Sequence, residues 1–122
     1  MNLFILHDDP TVAAQMQCDK HVVKMIIESA QMLSTAHRLL DGTVEIGPSK
    51  SVHRGHQCTV WTMQSSDNYK WHWQHFDALC EEYTYRYGKI HKTSFLKSPL
   101  WSLPDNIPQG GLTPFKLAMQ AN

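Results

Sequence analysis

The feature that most constrains this fold is a stretch of 30 residues, 11–40, that contains neither glycine nor proline. Asp9 or Thr11 can cap the start of a helix here, and Asp41-Gly42 can end it. An unbroken helix of this length would span about 45 Å, which is long for so small a chain, so we predict a break between residues 17 and 20. The apolar residues recur at helical spacing: Met16, Val23, Ile26, Ile27, Ala30, Leu33 and Leu40.

A second long helix is predicted from about Thr59 to Tyr87, with an internal cap at Ser65-Ser66-Asp67 and an end at Gly88. Its apolar and aromatic residues alternate by fours and threes, which predicts one continuous stripe packed on the first helix. The stripe contains Tyr69, Trp73, Phe76, Cys80, Tyr83 and Tyr87.

The remaining segments predict little regular structure. Residues 3–6 form a short apolar run typical of an extended segment, residues 42–56 predict a surface loop, and residues 91–122 are rich in proline and glycine. We therefore predict a mainly α protein with a single compact domain over residues 1–122. Two long packed helices lie in a helical core, 1–90, and an irregular tail, 91–122, wraps over them.

The charge balance excludes an indiscriminate nucleic-acid coat protein. Eleven Lys and Arg stand against eleven Asp and Glu, so any phosphate binding must be local. No apolar run approaches the ~18 residues that cross a bilayer, and the start of the chain does not resemble a signal peptide. These features predict a soluble cytoplasmic protein with no membrane partner, and the odd number of cysteines predicts reduced thiols. The sequence favours no particular oligomeric state.

One face of the first helix carries a narrow polar seam among apolar residues. Such a seam is either a solvated helix face or a site in which a carboxylate has a tuned pKa, and its narrowness favours the site. Its members follow each other by three or four positions: Cys18, His21, Lys24, Glu28, Gln31 and Thr35.

The segment from Cys18 to Glu28 resembles proteins encoded by tailed phages, and it also resembles the small pyrimidine-dimer DNA glycosylases of phages. The shared features are a C-x-x-H pattern and a glutamate seven positions after the histidine. Gly55-His56, followed by an aromatic-rich long helix, is similar as well, so the resemblance covers roughly residues 1–90.

The resemblance implies a compact helical enzyme that acts on duplex DNA without a cofactor. It implies an N-terminal amine as the nucleophile, on Asn2 or on a retained Met1, with Glu28 as the catalytic carboxylate and His21 two turns before it. Ile27 and Gln31 stand where the family has arginines. The residues that we expect to bind substrate are Lys24, Gln31, Arg54, His56, Arg86 and Lys89.

Two alternatives remain open at this point. The first is an enzyme for a nucleotide or another small molecule, with acid–base chemistry on His21, Lys24 and Glu28 and with or without a metal. The second is a non-catalytic module that binds a host protein through its aromatic surface. His72 and His75 are spaced to share a metal ion on a helix, but no stretch completes a known metal signature, so we assign no metal ligand. The best ligand candidates outside the aromatic stripe are Trp71, Tyr85 and Arg86.

Overall fold

A computed structural model describes residues 8–42 and 57–114 of the chain. The described residues form helices and no strand, which confirms the predicted mainly α class. The predicted extended segment at 3–6 and most of the predicted loop at 42–56 lie outside the described residues. The elements are α1 (Pro10–Gln15), α2 (Asp19–Asp41), α3 (Gln57–Gln64), α4 (Ser66–Tyr87), a 3₁₀ helix (Lys92–Leu96) and α5 (Lys97–Trp101).

The predicted break in the first helix is confirmed. The carboxylate of Asp9 accepts hydrogen bonds from the backbone N–H groups of Thr11 (2.8 Å) and Val12 (3.2 Å), and so caps α1. The chain then turns, and α2 begins at Asp19. It ends at Gly42, whose φ of 71° lies in the left-handed region that glycine adopts without strain.

The predicted cap between the two parts of the second helix is confirmed as well. Ser65 separates α3 from α4, and its hydroxyl accepts a hydrogen bond from the backbone N–H of Asn68 at 3.1 Å. The end of α4 at Gly88 repeats the end of α2, with a φ of 69°.

The two long helices, α2 and α4, pack antiparallel. Asp19 at the start of α2 contacts Arg86 near the end of α4, and His37 near the end of α2 contacts Tyr69 near the start of α4. Helix α3 packs on both, and α1 packs on α4. The core at their junction includes Val22, Met25, Ile26, Leu33, Trp61, Tyr69, Phe76 and Leu79.

The predicted aromatic stripe is confirmed for five of its six residues and fails at the last, Tyr87. Tyr69, Phe76 and Cys80 are buried, and Trp73 and Tyr83 are partly buried against the core. Tyr87 is exposed because α4 extends past the start of α2 at this point, beyond the level of Asp19.

The region after Gly88 contains more regular structure than the prolines suggest. The 3₁₀ helix and α5 occupy residues 92–101, because Leu96 and Leu100, four positions apart, are both buried. Pro99 lies in the first turn of α5, where a missing N–H costs nothing. Phe95 and Trp101, by contrast, are exposed.

Residues 102–114 form the irregular tail that the sequence predicts. The carboxylate of Asp41 accepts hydrogen bonds from the backbone N–H groups of Asp105 (2.7 Å) and Asn106 (2.9 Å), which ties the tail to the end of α2. Farther along, the carbonyl oxygen of Pro108 accepts from the backbone N–H of Ser66 at 2.8 Å. The tail therefore bridges the end of α2 and the start of α4.

Candidate active site on helix α2

The polar seam of α2 changes from exposed to buried along the helix. Cys18 and Lys24 are exposed, His21, Glu28 and Gln31 are half-buried, and Thr35 is fully buried. The predicted site residues of α2 therefore share one face, but only the middle of that face combines partial access with shielding from water.

Glu28 lies at this middle position. Its side chain is only 14% exposed, and Oε2 lies 3.8 Å from Nζ of Lys24, one turn earlier. The other carboxylate oxygen, Oε1, is buried and has no hydrogen-bond partner within the described part of the chain. A buried carboxylate oxygen with an unused lone pair is costly in a folded protein, and such groups are found where a ligand or a reacting group completes the bonding.

Apolar side chains at the protein surface border the seam. Val23 is 36% exposed and Ile27 is 43% exposed, on the turns that hold His21, Lys24 and Glu28. Charges beside apolar surface are less well screened than charges in open water, so a cation near Glu28 would feel a strong attraction.

Four lysines lie in the sequence near the start of α2 or just after the end of α4. Lys20 and Lys24 on α2 are exposed, as are Lys89 and Lys92 after the end of α4. Each of them could contact a phosphate, in keeping with the expectation that any phosphate binding is local.

Arg86, which we predicted as a substrate-binding residue, has a structural role at the same end. Its guanidinium donates hydrogen bonds to Asp19 (2.8 Å), Glu82 (3.0 Å) and the backbone carbonyl of Gln15 (3.1 Å). These contacts join α1, α2 and α4, and a phosphate bound by Arg86 would have to share it with two carboxylates. Three other predicted site residues, Asn2, Arg54 and His56, lie outside the described residues.

The His72 and His75 pair is not on the surface: both side chains are fully buried. The hydroxyl of Thr62 donates its single proton to the carbonyl of Cys58 (2.7 Å), so Nδ1–H of His72 must donate to Thr62 Oγ1 at 2.7 Å. Nδ1–H of His75 donates to the carbonyl of Pro10 at 3.1 Å. Both rings are therefore neutral Nδ1–H tautomers, and neither Nε2 atom has a hydrogen-bond partner among the described residues.

Burial explains the neutral state of both rings. It lowers the pKa of His75 to about 4, and burial together with the proximity of His75 lowers the pKa of His72 to about 3. Within residues 8–42 and 57–114, no group of three or more His, Cys, Asp or Glu side chains is arranged to hold a metal ion.

The prediction that Trp71 is free to bind a ligand is wrong. The side chain is 5% exposed, packs edge-on against Trp61, and donates its indole N–H to the carbonyl of Asp8 at 2.7 Å. Sequence reasoning missed this contact because its partner is a backbone atom that lies outside the helix pattern. Tyr85, by contrast, is 85% exposed.

Two surface cavities lie away from the seam. One, of about 550 Å³, lies between α1 and α4 and is lined by Asp77, Glu81 and Glu82, whose charges repel phosphate. The other, of about 300 Å³, lies between α4 and α5, with Trp73 and Trp101 in its wall. Neither cavity is lined by His21, Lys24 or Glu28.

Comparison with protein families gives one match, to the family described as pyrimidine dimer DNA glycosylase, and it spans residues 1–95. This chain belongs to the pyrimidine dimer DNA glycosylase family. The matched range contains the whole seam of α2 and all of α4, in agreement with the resemblance noted from the sequence. No curated protein and no solved structure matches the chain.

Among the described helices, none combines the length and the apolarity that a membrane span requires.

Proposed function

We propose that this protein excises pyrimidine dimers from duplex DNA and then cleaves the strand at the resulting sugar, with Glu28 as the catalytic carboxylate. The observation that carries the proposal is the carboxylate of Glu28, held on a half-buried helix face with one oxygen that has no partner among the described residues. Membership of the glycosylase family supplies the class of reaction.

In the proposed reaction, the N-terminal amine attacks C1′ of the damaged nucleotide. The C1′–N bond breaks, its electron pair leaves with the base, and the base takes up a proton. An α-amino group has a pKa of about 7.7 to 8, so a useful fraction is neutral and nucleophilic near pH 7. The attached amine then loses one proton, and the sugar ring opens as the C1′–O4′ bond breaks and O4′ takes up a proton. This leaves a cationic imine, which keeps one N–H, between the protein and C1′.

Glu28 has two tasks in this scheme. Its negative charge stabilises the cationic imine, and its free Oε1 can accept the C2′ proton whose loss expels the 3′ phosphate. Lys24 interacts with the other oxygen, Oε2, at 3.8 Å, which leaves Oε1 available for the proton transfer.

The surrounding residues bind DNA in this proposal. Lys24 and Lys89 are exposed cations that offer phosphate contacts, and His21 and Gln31 flank Glu28 on the same helix face. Arg54 and His56 belong to the predicted substrate-binding set, whereas Asn2 is a candidate for the residue that carries the amine. The small-molecule alternative has less support, because neither cavity described above contains the acid–base residues that it would need.

The test is incision of a duplex that carries a single pyrimidine dimer, with the undamaged duplex as a reference. We expect the wild-type protein to cut only the damaged duplex, and Glu28→Gln to lose ~10²-fold or more of this activity. Glu81→Gln is the matched control, since Glu81 is a 71% exposed glutamate on α4. The proposal fails if the wild-type protein leaves the dimer intact, or if the Glu28→Gln and Glu81→Gln variants cut equally well.

A further inference from the structure

We propose that Val23 and Ile27 are specificity-determining residues that contact the C5 methyl groups of a thymine dimer, so that the protein prefers thymine dimers to pyrimidine dimers that lack these groups. The inference rests on the proposed function, because it concerns which pyrimidine dimers are excised. We call the two side chains the α2 apolar pair.

The α2 apolar pair lies on the exposed face of α2, beside Glu28. Val23 and Ile27 are four positions apart, so they are neighbours on one face, and 36% and 43% of their surface is exposed. Ile27 and Glu28 both lie on the turn that follows Lys24, and their positions differ by about 1.5 Å along the helix axis. A sugar whose C2′ proton reaches Oε1 of Glu28 therefore brings its base close to Ile27, since the base is bonded to the adjacent carbon, C1′.

The charges around the pair favour DNA as the molecule that covers it. Lys20 precedes Val23 by three positions and Lys24 precedes Ile27 by three, so an exposed lysine lies one turn before each apolar side chain. Cations beside an uncharged surface are complementary to nucleic acid, because the cations contact phosphates and the uncharged surface contacts bases. The same face continues to Glu28, the carboxylate of the proposed reaction.

Aliphatic side chains select one kind of group on DNA. Valine and isoleucine have no side-chain donor or acceptor, so they gain energy from a base only by removing apolar surface from water. On the edges of the DNA bases, the apolar group is the C5 methyl of thymine. A cyclobutane dimer joins two adjacent pyrimidines through C5 and C6, so a thymine dimer presents two methyl groups close together. Two aliphatic side chains on successive turns can cover such a pair of methyl groups.

Competition between two dimers measures this selectivity. A thymine dimer and a uracil dimer in the same duplex sequence differ only in the two methyl groups. When both duplexes compete at equal concentration in one reaction, the ratio of their incision rates equals the ratio of their kcat/KM values, whatever fraction of the protein is folded. We expect the wild-type protein to favour the thymine dimer by roughly 4- to 15-fold, the effect of burying one or two methyl groups.

Two substitutions at position 27 test whether the contact is apolar. Ile27→Thr places a hydroxyl on the side chain, whereas Ile27→Val shortens the side chain and leaves it apolar. We expect Ile27→Thr to lower the preference for the thymine dimer by about threefold or more, and Ile27→Val to keep most of the preference. Equal preferences in the two variants would overturn the inference. A purely structural role for Ile27 would change the amount of active protein and not its choice between the two dimers.

Val23→Thr and Val60→Thr form a matched pair of variants. Each exchanges a methyl group for a hydroxyl on a valine of nearly equal exposure, 36% for Val23 and 38% for Val60. Val60 lies on α3 and is not part of the α2 apolar pair. We expect Val23→Thr to lower the preference for the thymine dimer by about twofold, and Val60→Thr to leave it at the wild-type value.

The outcomes separate the inference from the proposed function. If the wild-type protein incises neither dimer, the proposed function is overturned and the inference with it. If the wild type incises both dimers at the same rate, or the uracil dimer faster, only the inference is overturned. The same conclusion follows if the full preference survives in either Ile27→Thr or Val23→Thr, or if Val60→Thr lowers it as much as Val23→Thr does.

Discussion

The seam of α2 and the histidine pair of α4 have similar spacing in the sequence and opposite environments in the fold. Both place ionisable residues three or four positions apart on a long helix. Glu28 lies on a half-buried face and keeps one carboxylate oxygen that has no partner in the described part of the chain. His72 and His75 are fully buried and neutral, each with Nδ1–H bound to an oxygen of another helix.

The difference shows what an unpartnered polar atom implies in each case. A neutral imidazole nitrogen loses a hydrogen bond when it is buried alone, which costs about 1–3 kcal/mol. A carboxylate that is buried without a partner costs far more unless something cationic approaches it. We therefore propose that Glu28 acts in catalysis and that His72 and His75 contribute to the stability of the fold.

The largest expected contrast is between Glu28→Gln and His72→Ala. Glu28→Gln should lower the rate of incision by ~10²-fold or more, since it removes the charge and the base. Its melting temperature should change little, because the ion pair that the carboxylate makes within residues 8–42 and 57–114 is long. His72→Ala should instead lower the melting temperature and leave the rate of incision per folded molecule unchanged. It leaves a cavity beside Thr62, which costs about 2–4 kcal/mol of unfolding free energy.

Thermal melting and incision rate per folded molecule, measured on both variants, provide the check. A Glu28→Gln variant that is active but melts several degrees lower would make Glu28 structural. An inactive but fully stable His72→Ala variant would move the chemistry to α4.

The second contrast concerns how the free energy of unfolding depends on pH through the buried histidines. Unfolded histidines have a pKa near 6.5, while burial lowers the folded pKa of His72 to about 3 and that of His75 to about 4. The unfolded state therefore binds more protons below about pH 6.5, and the free energy of unfolding falls as the pH falls. The loss is up to ~1.4 kcal/mol per pH unit for each histidine, and the contribution is fully present above pH 6.5.

Urea unfolding of the wild type and of His72→Leu between pH 5 and 7.5 measures this slope. In the acid half of the range, the free energy of unfolding should fall less steeply with falling pH in the variant than in the wild type. The two slopes should differ by ~1.4 kcal/mol per pH unit. Equal slopes would mean that His72 is not neutral and buried in solution.

The smallest expected effect is on the salt dependence of DNA binding. A neutral protein with local cations should show a slope of log K against log salt that corresponds to roughly three to five neutralised phosphates. Lys24→Gln should lower the slope by the amount that corresponds to about one neutralised phosphate. Lys97→Gln should leave it unchanged, since Lys97 already pairs with Asp77 (3.0 Å) and Glu81 (3.4 Å) on α4. An unchanged slope for Lys24→Gln would show that Lys24 makes no phosphate contact.

Much of the fold could be predicted from local sequence, because its boundaries depend on local chemistry. Asp9 and Ser65 cap helices through their own side chains, and Gly42 and Gly88 end helices through their own backbone conformation. The two short helices at 92–101 were missed because Leu96 and Leu100 are stabilised by burial against distant helices and the prolines around them favour irregular chain.

The site could be predicted only as far as one helix face. Periodicity brings His21, Lys24 and Glu28 together, because all three depend on the geometry of α2 alone. It could not show that Arg86 is held by Asp19 and by the backbone carbonyl of Gln15, since those contacts depend on how three helices meet. The burial of Trp71 was missed for the same reason.

The central claim is that an amine at the start of the chain attacks the sugar with the help of Glu28. Borohydride reduction during reaction with a duplex that carries a pyrimidine dimer or an abasic site tests it most directly. We expect a covalent protein–DNA adduct whose peptide map places the link on the first residue, and we expect Glu28→Gln to reduce its yield. An adduct on a lysine side chain, or no adduct on either duplex together with no binding at low salt, would contradict the account.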